Sequence, residues 1–172
     1  MMPIDNLENY NSENIVNMEK AEGLIWKFKE SGKKVGLCHG GFDLLHPGHV
    51  KHLESAKNLC DLLFVSVTSD KFVSMRKETR PIFHENLRAY MLSKLRCVDY
   101  VVISDYNLGV ETIKKLKPSL YIKGPDYKNS KDWEINEERE AVERVGGKII
   151  FTDDLKLSTT EIISYIKKEI KN

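Results

Sequence analysis

Two histidines, His46 and His49, stand three residues apart in the run GGFDLLHPGH that closes on His49. That spacing sets both imidazoles on one side of a helical turn. Pro47, between them, suits the first position of a helix because its missing N–H would have no partner there. The free N–H groups of such a first turn, together with the helix dipole, favour a bound anion, and glycines at 40 and 41 let a ligand come close to the backbone. The expected guest is a phosphate. A zinc site is a second reading, since His39, His46, His49 and His52 with Cys38 or Cys60 include ligand types. Against it, His52 falls on the following turn, Cys38 belongs to a buried run, and no HExxH pattern occurs. A plain capped helix end is the third.

The elements that must position this pair show in the hydropathy pattern. Apolar runs at 35–38, 62–68, 100–103, 120–122 and 148–151 alternate with helical patterns at 47–59, 85–97, 109–116, 136–145 and 159–170. Strand and helix alternation with Val/Ile-rich strands predicts a parallel sheet covered on both faces. The expected fold is therefore α/β: a single Rossmann-like domain with a five-stranded parallel sheet and helices on both faces. Such sheets bind nucleotides at the carboxyl ends of their strands, where strand order reverses, and the suspected site residues all fall there. Residues 1–12 are polar and Asn-rich and read as a loose arm. From about Asn14, Met18, Ala21, Leu24, Ile25 and Phe28 recur at helical spacing until Gly32 supplies a stop. The organisation expected is an arm and helix over 1–33 and the main domain over 34–172.

Composition narrows the partners. A chain of 172 residues with net charge +1 and 31% charged residues has an evenly balanced surface and the length of one domain. No basic block with interleaved aromatics marks a nucleic-acid partner, and no signal peptide, lipidation site or long apolar span marks a membrane. The three cysteines, 38, 60 and 97, lie in apolar stretches without CxxC spacing, as reduced core residues of a cytoplasmic protein would.

GGFDLLHPGH resembles the HxGH signature of the nucleotidyltransferase superfamily, the cytidylyltransferase-like group. Further segments match in order: LLFVSVTSD at 62–70, Arg80 with Pro81, KGPDY at 123–127 and STTEII at 158–163. These are similar to the adenylyltransferase domain of the bifunctional heptose-phosphate kinase/adenylyltransferases, over about residues 34–166. The resemblance implies transfer of a nucleoside monophosphate from an NTP to a phosphorylated sugar or polyol, releasing pyrophosphate, with Mg²⁺ neutralising the triphosphate. It also implies a homodimer, and a sugar kinase either fused to this domain or working beside it.

Such a reaction asks for positioning and charge stabilisation, because the acceptor's phosphate oxygen is already ionised and attacks without a base. The resemblance assigns His46 and His49 as the hydrogen-bond donors to the reacting phosphate. Gly41 and Phe42 would offer backbone N–H groups to the triphosphate. Asp43 has three readings: it orients the loop, approaches the metal, or bonds turn amides. Arg76, Lys77 and Arg80 lie in a polar stretch read as a loop; the family has a lysine here that reaches the triphosphate, and Lys77, before the Arg-Pro pair, is taken as its match. Arg88 matches an arginine near the phosphates and suits bidentate binding; a surface pair with Glu85 is its other reading. Gly124 and Pro125 turn the chain so that Lys123 and Asp126 emerge at the sheet edge, and the resemblance sets this loop against ribose and base. Ser158, Thr159 and Thr160 read as an N-cap that doubles as a phosphate grip.

Two departures bear on the branch. Glycerol-phosphate cytidylyltransferases carry an arginine shortly before their Ser-Thr-Thr segment, where DDLKLSTT here offers only Lys156, and they lack the lysine of KGPDY. Both favour the heptose type, which generally uses ATP. CTP-dependent transfer to glycerol phosphate or another small polyol or sugar phosphate is the alternative, and a non-catalytic nucleotide-binding module the second. A dinucleotide-dependent oxidoreductase is disfavoured because no GxGxxG follows the first apolar run, and a class I aminoacyl-tRNA synthetase because the chain is too short to add an anticodon-reading domain.

Overall fold

The computed structural model describes residues 5–76, 80–128, 130, 132–154 and 157–170. The strands are β1 (Val35–Gly40), β2 (Leu62–Thr68), β3 (Tyr100–Ser104), β4 (Leu120–Lys123) and β5 (Lys148–Phe151), and they form one sheet in the order β3-β2-β1-β4-β5. Every pairing is parallel. The chain first winds outward from β1 through β2 to β3, then crosses to β4 on the other side of β1. The reversal of strand order therefore lies between β1 and β4.

The helices are α1 (Met18–Glu30), α2 (Pro47–Lys57), α3 (Asp70–Arg76), α4 (Glu85–Ser93), α5 (Gly109–Leu116), α6 (Trp133–Arg144) and α7 (Thr159–Ile170). Two cores sandwich the sheet. On one face Ala21 and Ile25 of α1, Val110, Ile113 and Leu116 of α5, and Ala141 and Val142 of α6 pack on Leu37, Phe64 and Tyr121. On the other, Leu53 and Ala56 of α2 and Ala89 and Leu92 of α4 pack on Cys38, Leu63, Val65, Val67 and Ile122. Because α1 supplies fully buried residues to the first core, it is part of the sandwich.

Local chemistry sets the boundaries. Asn17 caps α1 by accepting from the Lys20 amide at 2.8 Å, and Gly32 takes φ 77 after its end. The helix thus starts at Met18 and not near Asn14. Residues 14–16 instead add to the sheet edge, where the Val101 amide donates to the Asn14 carbonyl and the Val16 amide donates to the Val101 carbonyl, both at 2.9 Å. The polar stretch after β2, expected as loop, is helical from Asp70 to Arg76. None of the described helices is long and apolar enough to cross a membrane.

Candidate active site

A cavity of about 480 Å³ opens at the carboxyl ends of β1 and β4, at the reversal of strand order. His46 is the N-cap of α2: its Nδ1 accepts from the His49 amide at 3.3 Å, while its carbonyl accepts from His49 and Val50. With Nδ1 occupied as an acceptor, the ring proton resides on Nε2. The two imidazoles stack with centroids 3.7 Å apart and planes 19° apart, and both line the cavity. Gly48 permits this, because a Cβ there would sit 3.1 Å from His46 Nδ1 and 3.0 Å from Leu157 Cβ. The rings are neutral at pH 7. Burial lowers His46, and burial, with His46 and His52 close by, takes His49 down to about 4 against the pull of the Leu44 carbonyl.

The loop between β1 and α2 is shaped by a residue other than its glycines. Phe42, not Gly41, takes the left-handed conformation, at φ 47. Its ring covers Gly40, where a Cβ would meet it at 3.2 Å, and sets its edge against His49 at 5.3 Å. Asp43 is engaged by the segment that precedes α4. Its Oδ1 accepts from the Ile82 and Phe83 amides at 2.6 and 3.2 Å, and its Oδ2 from Arg80 at 2.6 Å.

Arg88 departs furthest from expectation. It is wholly buried and faces protein on every side: Nε donates to the Phe83 carbonyl at 3.0 Å, Nη1 to the Gly41 carbonyl, and Nη2 to the Thr68 carbonyl at 2.8 Å and to Asp70 Oδ1 at 2.7 Å. It neither lines the cavity nor pairs with Glu85, whose Oε2 accepts from the Asp70 amide instead. Its place is behind the loop between β1 and α2, holding the carbonyls that would otherwise need a donor.

Lys123 is also less available than expected. Its ammonium lies 3.1 Å from Glu138 Oε2 of α6 and 4.3 Å from the centre of the Tyr127 ring; Glu138 accepts in turn from the Tyr121 hydroxyl at 2.8 Å. Gly124 and Asp126 line the cavity beside it. Arg76, at the end of α3, bridges to Glu134 of α6 at 3.1 Å and donates to the Asn107 carbonyl at 2.9 Å. Among the described residues, the three cationic side chains lining the cavity, Arg76, Arg80 and Lys123, are thus each held by a carboxylate. The Arg76 pair is the most exposed of these. Lys77 lies outside the described residues.

Ser158, Thr159 and Thr160 line the cavity beside the start of α2. Ser158 forms a capping box with Glu161: its Oγ accepts from the Glu161 amide, and its amide donates to Glu161 Oε2, both at 3.1 Å. The Thr159 hydroxyl reaches the Leu44 carbonyl at 3.5 Å. No residue of α7 is buried, so little but this cap fixes its first turn. Ser158→Ala is expected to cost α7 about 1 kcal/mol, seen as faster amide exchange in α7 with the sheet amides unchanged.

The other residues of the zinc reading have partners of their own. His39 bonds the Ser66 and Thr68 hydroxyls, and His52 bonds the Thr152 hydroxyl and the Cys38 thiol. No group of three or more His, Cys, Asp or Glu among the described residues is placed to hold a metal ion. Burial pushes the Cys38 thiol up, away from thiolate.

The neutral histidines leave a mark on stability. Burial, with Lys123 and Arg76 adding, takes His39 down to about 3 from its ordinary 6.5. Below about pH 6.5 the unfolded chain binds protons at His39 and His49 that the folded chain refuses. Stability is therefore full above that value and falls as pH drops toward 4. Urea midpoints measured from pH 7.5 to 5 are expected to decline, and His39→Gln to flatten the slope.

Residues 37–165 match the family described as cytidylyltransferase-like. The bifunctional protein HldE of Geobacter sulfurreducens is 39% identical over 158 residues, which is 90% of this chain and 31% of the relative. HldE of Sulfurimonas denitrificans is 38% identical over 91% of this chain and 31% of its own length. The chain thus spans about a third of the length of these curated relatives. A solved structure, the lipopolysaccharide core biosynthesis protein from Thermoplasma volcanium, superposes with TM-score 0.61 at 28% identity, covering 73% of this chain and all of that one. Pantoate-beta-alanine ligase from Francisella tularensis superposes with TM-score 0.61 at 17% identity, over 94% of this chain and 80% of its own, a likeness of fold alone.

Proposed function

The chain belongs to the cytidylyltransferase-like family, and we propose that it transfers a nucleoside monophosphate from an NTP, with ATP as the donor, to a sugar phosphate such as a heptose phosphate. The observation that carries this reading is the stacked, neutral imidazole pair at the N-terminus of α2, set in a cavity at the strand-order reversal. An ionised oxygen of the acceptor's phosphate attacks the α-phosphorus, the bond to the β-phosphate oxygen breaks, and pyrophosphate leaves. No protein base is needed. His46, with its proton on Nε2, and His49 donate hydrogen bonds as charge builds on the five-coordinate phosphorus. The amides at the start of α2 face the same charge.

Mg²⁺ would neutralise the triphosphate when bound. The residues described suit an ion held chiefly by nucleotide oxygens, since they form no protein cage. The heptose-type acceptor is supported by the HldE relatives together with Lys123 in KGPDY. A sugar kinase supplying the acceptor, a cytoplasmic setting and a homodimer are parts of the same proposal.

The test follows pyrophosphate release with each of the four NTPs, Mg²⁺ and a panel of phosphorylated sugars and polyols. Release with ATP and a heptose phosphate is expected. Silence with every combination would refute the enzyme reading, and turnover only with CTP and glycerol phosphate would transfer the chain to the other branch.

A further inference from the structure

Asp154, between β5 and α7, lines the cavity and directs one carboxylate oxygen at α2: the Ser55 hydroxyl donates to its Oδ1 at 2.7 Å. The other oxygen, Oδ2, is buried and accepts no hydrogen bond among the described residues. An acceptor left unmet in a buried place costs stability, and one that belongs to a ligand cavity marks where a ligand's donor fits. Charge decides which part of a nucleotide that is. A carboxylate repels a triphosphate, so the donor comes from the uncharged end, as a ribose hydroxyl or a base N–H. Position separates these two. Ser55 lies six residues beyond His49 on α2, about 9 Å further along the axis at the helical rise. From a phosphate held at the helix N-terminus, that distance passes the ribose and arrives at the far edge of a base. Leu157, also in the wall and exposed, offers apolar surface for a flat ring.

We infer that Asp154 is a specificity-determining residue that accepts an N–H from the exocyclic amino group of the nucleobase. This rests on the nucleotidyltransferase reading and narrows its donor to bases with the amino group at C6 of a purine or C4 of a pyrimidine, adenine or cytosine; guanine carries a keto oxygen at C6 and its amino group at C2. A keto oxygen at that edge would face Oδ2 with no proton between two acceptors, and guanine and uracil are refused for that reason. Ser55 is a positioning residue that fixes the carboxylate through Oδ1.

Calorimetric binding of ATP and inosine triphosphate, with Mg²⁺ and without acceptor, tests this, since the two differ at C6, amino against keto, and at the adjoining N1, acceptor against N–H donor. The wild-type chain is expected to bind ATP at least about tenfold more tightly. Asp154→Asn, whose amide both donates and accepts, brings the ratio toward one. Ser55→Ala, which leaves the carboxylate in place, narrows the ratio partway and serves if the Asn variant does not fold. 2′-Deoxy-ATP is expected to bind as ATP does. Equal affinities for ATP and inosine triphosphate, a ratio untouched by Asp154→Asn, or an Asp154-dependent loss confined to the deoxy analogue would each overturn the inference while nucleotide binding stands. Binding of no nucleotide at all would overturn the nucleotidyltransferase reading with it.

Discussion

His46→Ala and His49→Ala are each expected to lower turnover by about a hundredfold or more, the magnitude typical of one lost transition-state donor. In the proposed reaction these donors meet charge that develops at the α-phosphorus, so kcat and kcat/KM should fall together while nucleotide affinity changes little. The two variants differ in stability. His46 also caps α2 through Nδ1, so His46→Ala loses about 1 kcal/mol of cap, whereas His49→Ala does not. A hundredfold loss corresponds to about 2.7 kcal/mol, so the cap alone does not account for it. His46→Asn separates the two effects, since an asparagine restores the cap and lacks the ring. It is expected to recover the urea midpoint and not the rate. Pyrophosphate release under saturating substrates, with chemical denaturation of each variant, makes the measurement. Unchanged rates in both alanine variants would remove the central assignment.

The pattern of apolar runs made the sheet legible: β2 and β5 begin and end where their runs do, and α5 and α7 coincide with their helical patterns. Burial on both faces gives β2 its unbroken apolar stretch, whereas β5, at the sheet edge with no buried residue, shows through its short apolar run alone. The segment at 70–76 hid its helix because a seven-residue helix with no buried residue has no apolar stripe. The histidine pair was legible because its geometry is local, two rings on one turn beside a proline. Partners of the charged residues were not, because each joins elements far apart in the chain. Arg76 meets Glu134, Lys123 meets Glu138, and Asp43 meets Arg80. Among the glutamates of α6, nothing local singles out Glu138 as the one that is buried. The orphaned oxygen of Asp154 belongs to the same class, since only folding brings Ser55 to its neighbour.

Arg88 gives the sharpest consequence of these long-range partners. Its guanidinium ties together four segments at once: the β1–α2 loop at Gly41, the end of β2 at Thr68, the start of α3 at Asp70, and the approach to α4 at Phe83. Arg88→Met keeps comparable volume and removes every donor the guanidinium supplies, leaving a mostly buried carboxylate with His84 Nε2 at 3.4 Å in place of its arginine, and three carbonyls short of a donor. Breaking a buried pair from one side costs about 3–5 kcal/mol, a large part of the 5–15 kcal/mol typical of a domain. Arg88→Lys keeps the charge but brings no planar fork, and cannot reach all four acceptors. It is expected to fall between wild type and Met. Removing the second charge should soften the loss, so Asp70→Asn combined with Arg88→Met is expected to destabilise by less than the sum of the single changes. The coupling distinguishes a buried ion pair from a lost hydrophobic contact. Urea unfolding of the four proteins measures it, and a loss under about 1 kcal/mol in Arg88→Met would mean that the guanidinium is not what holds the loop behind His46.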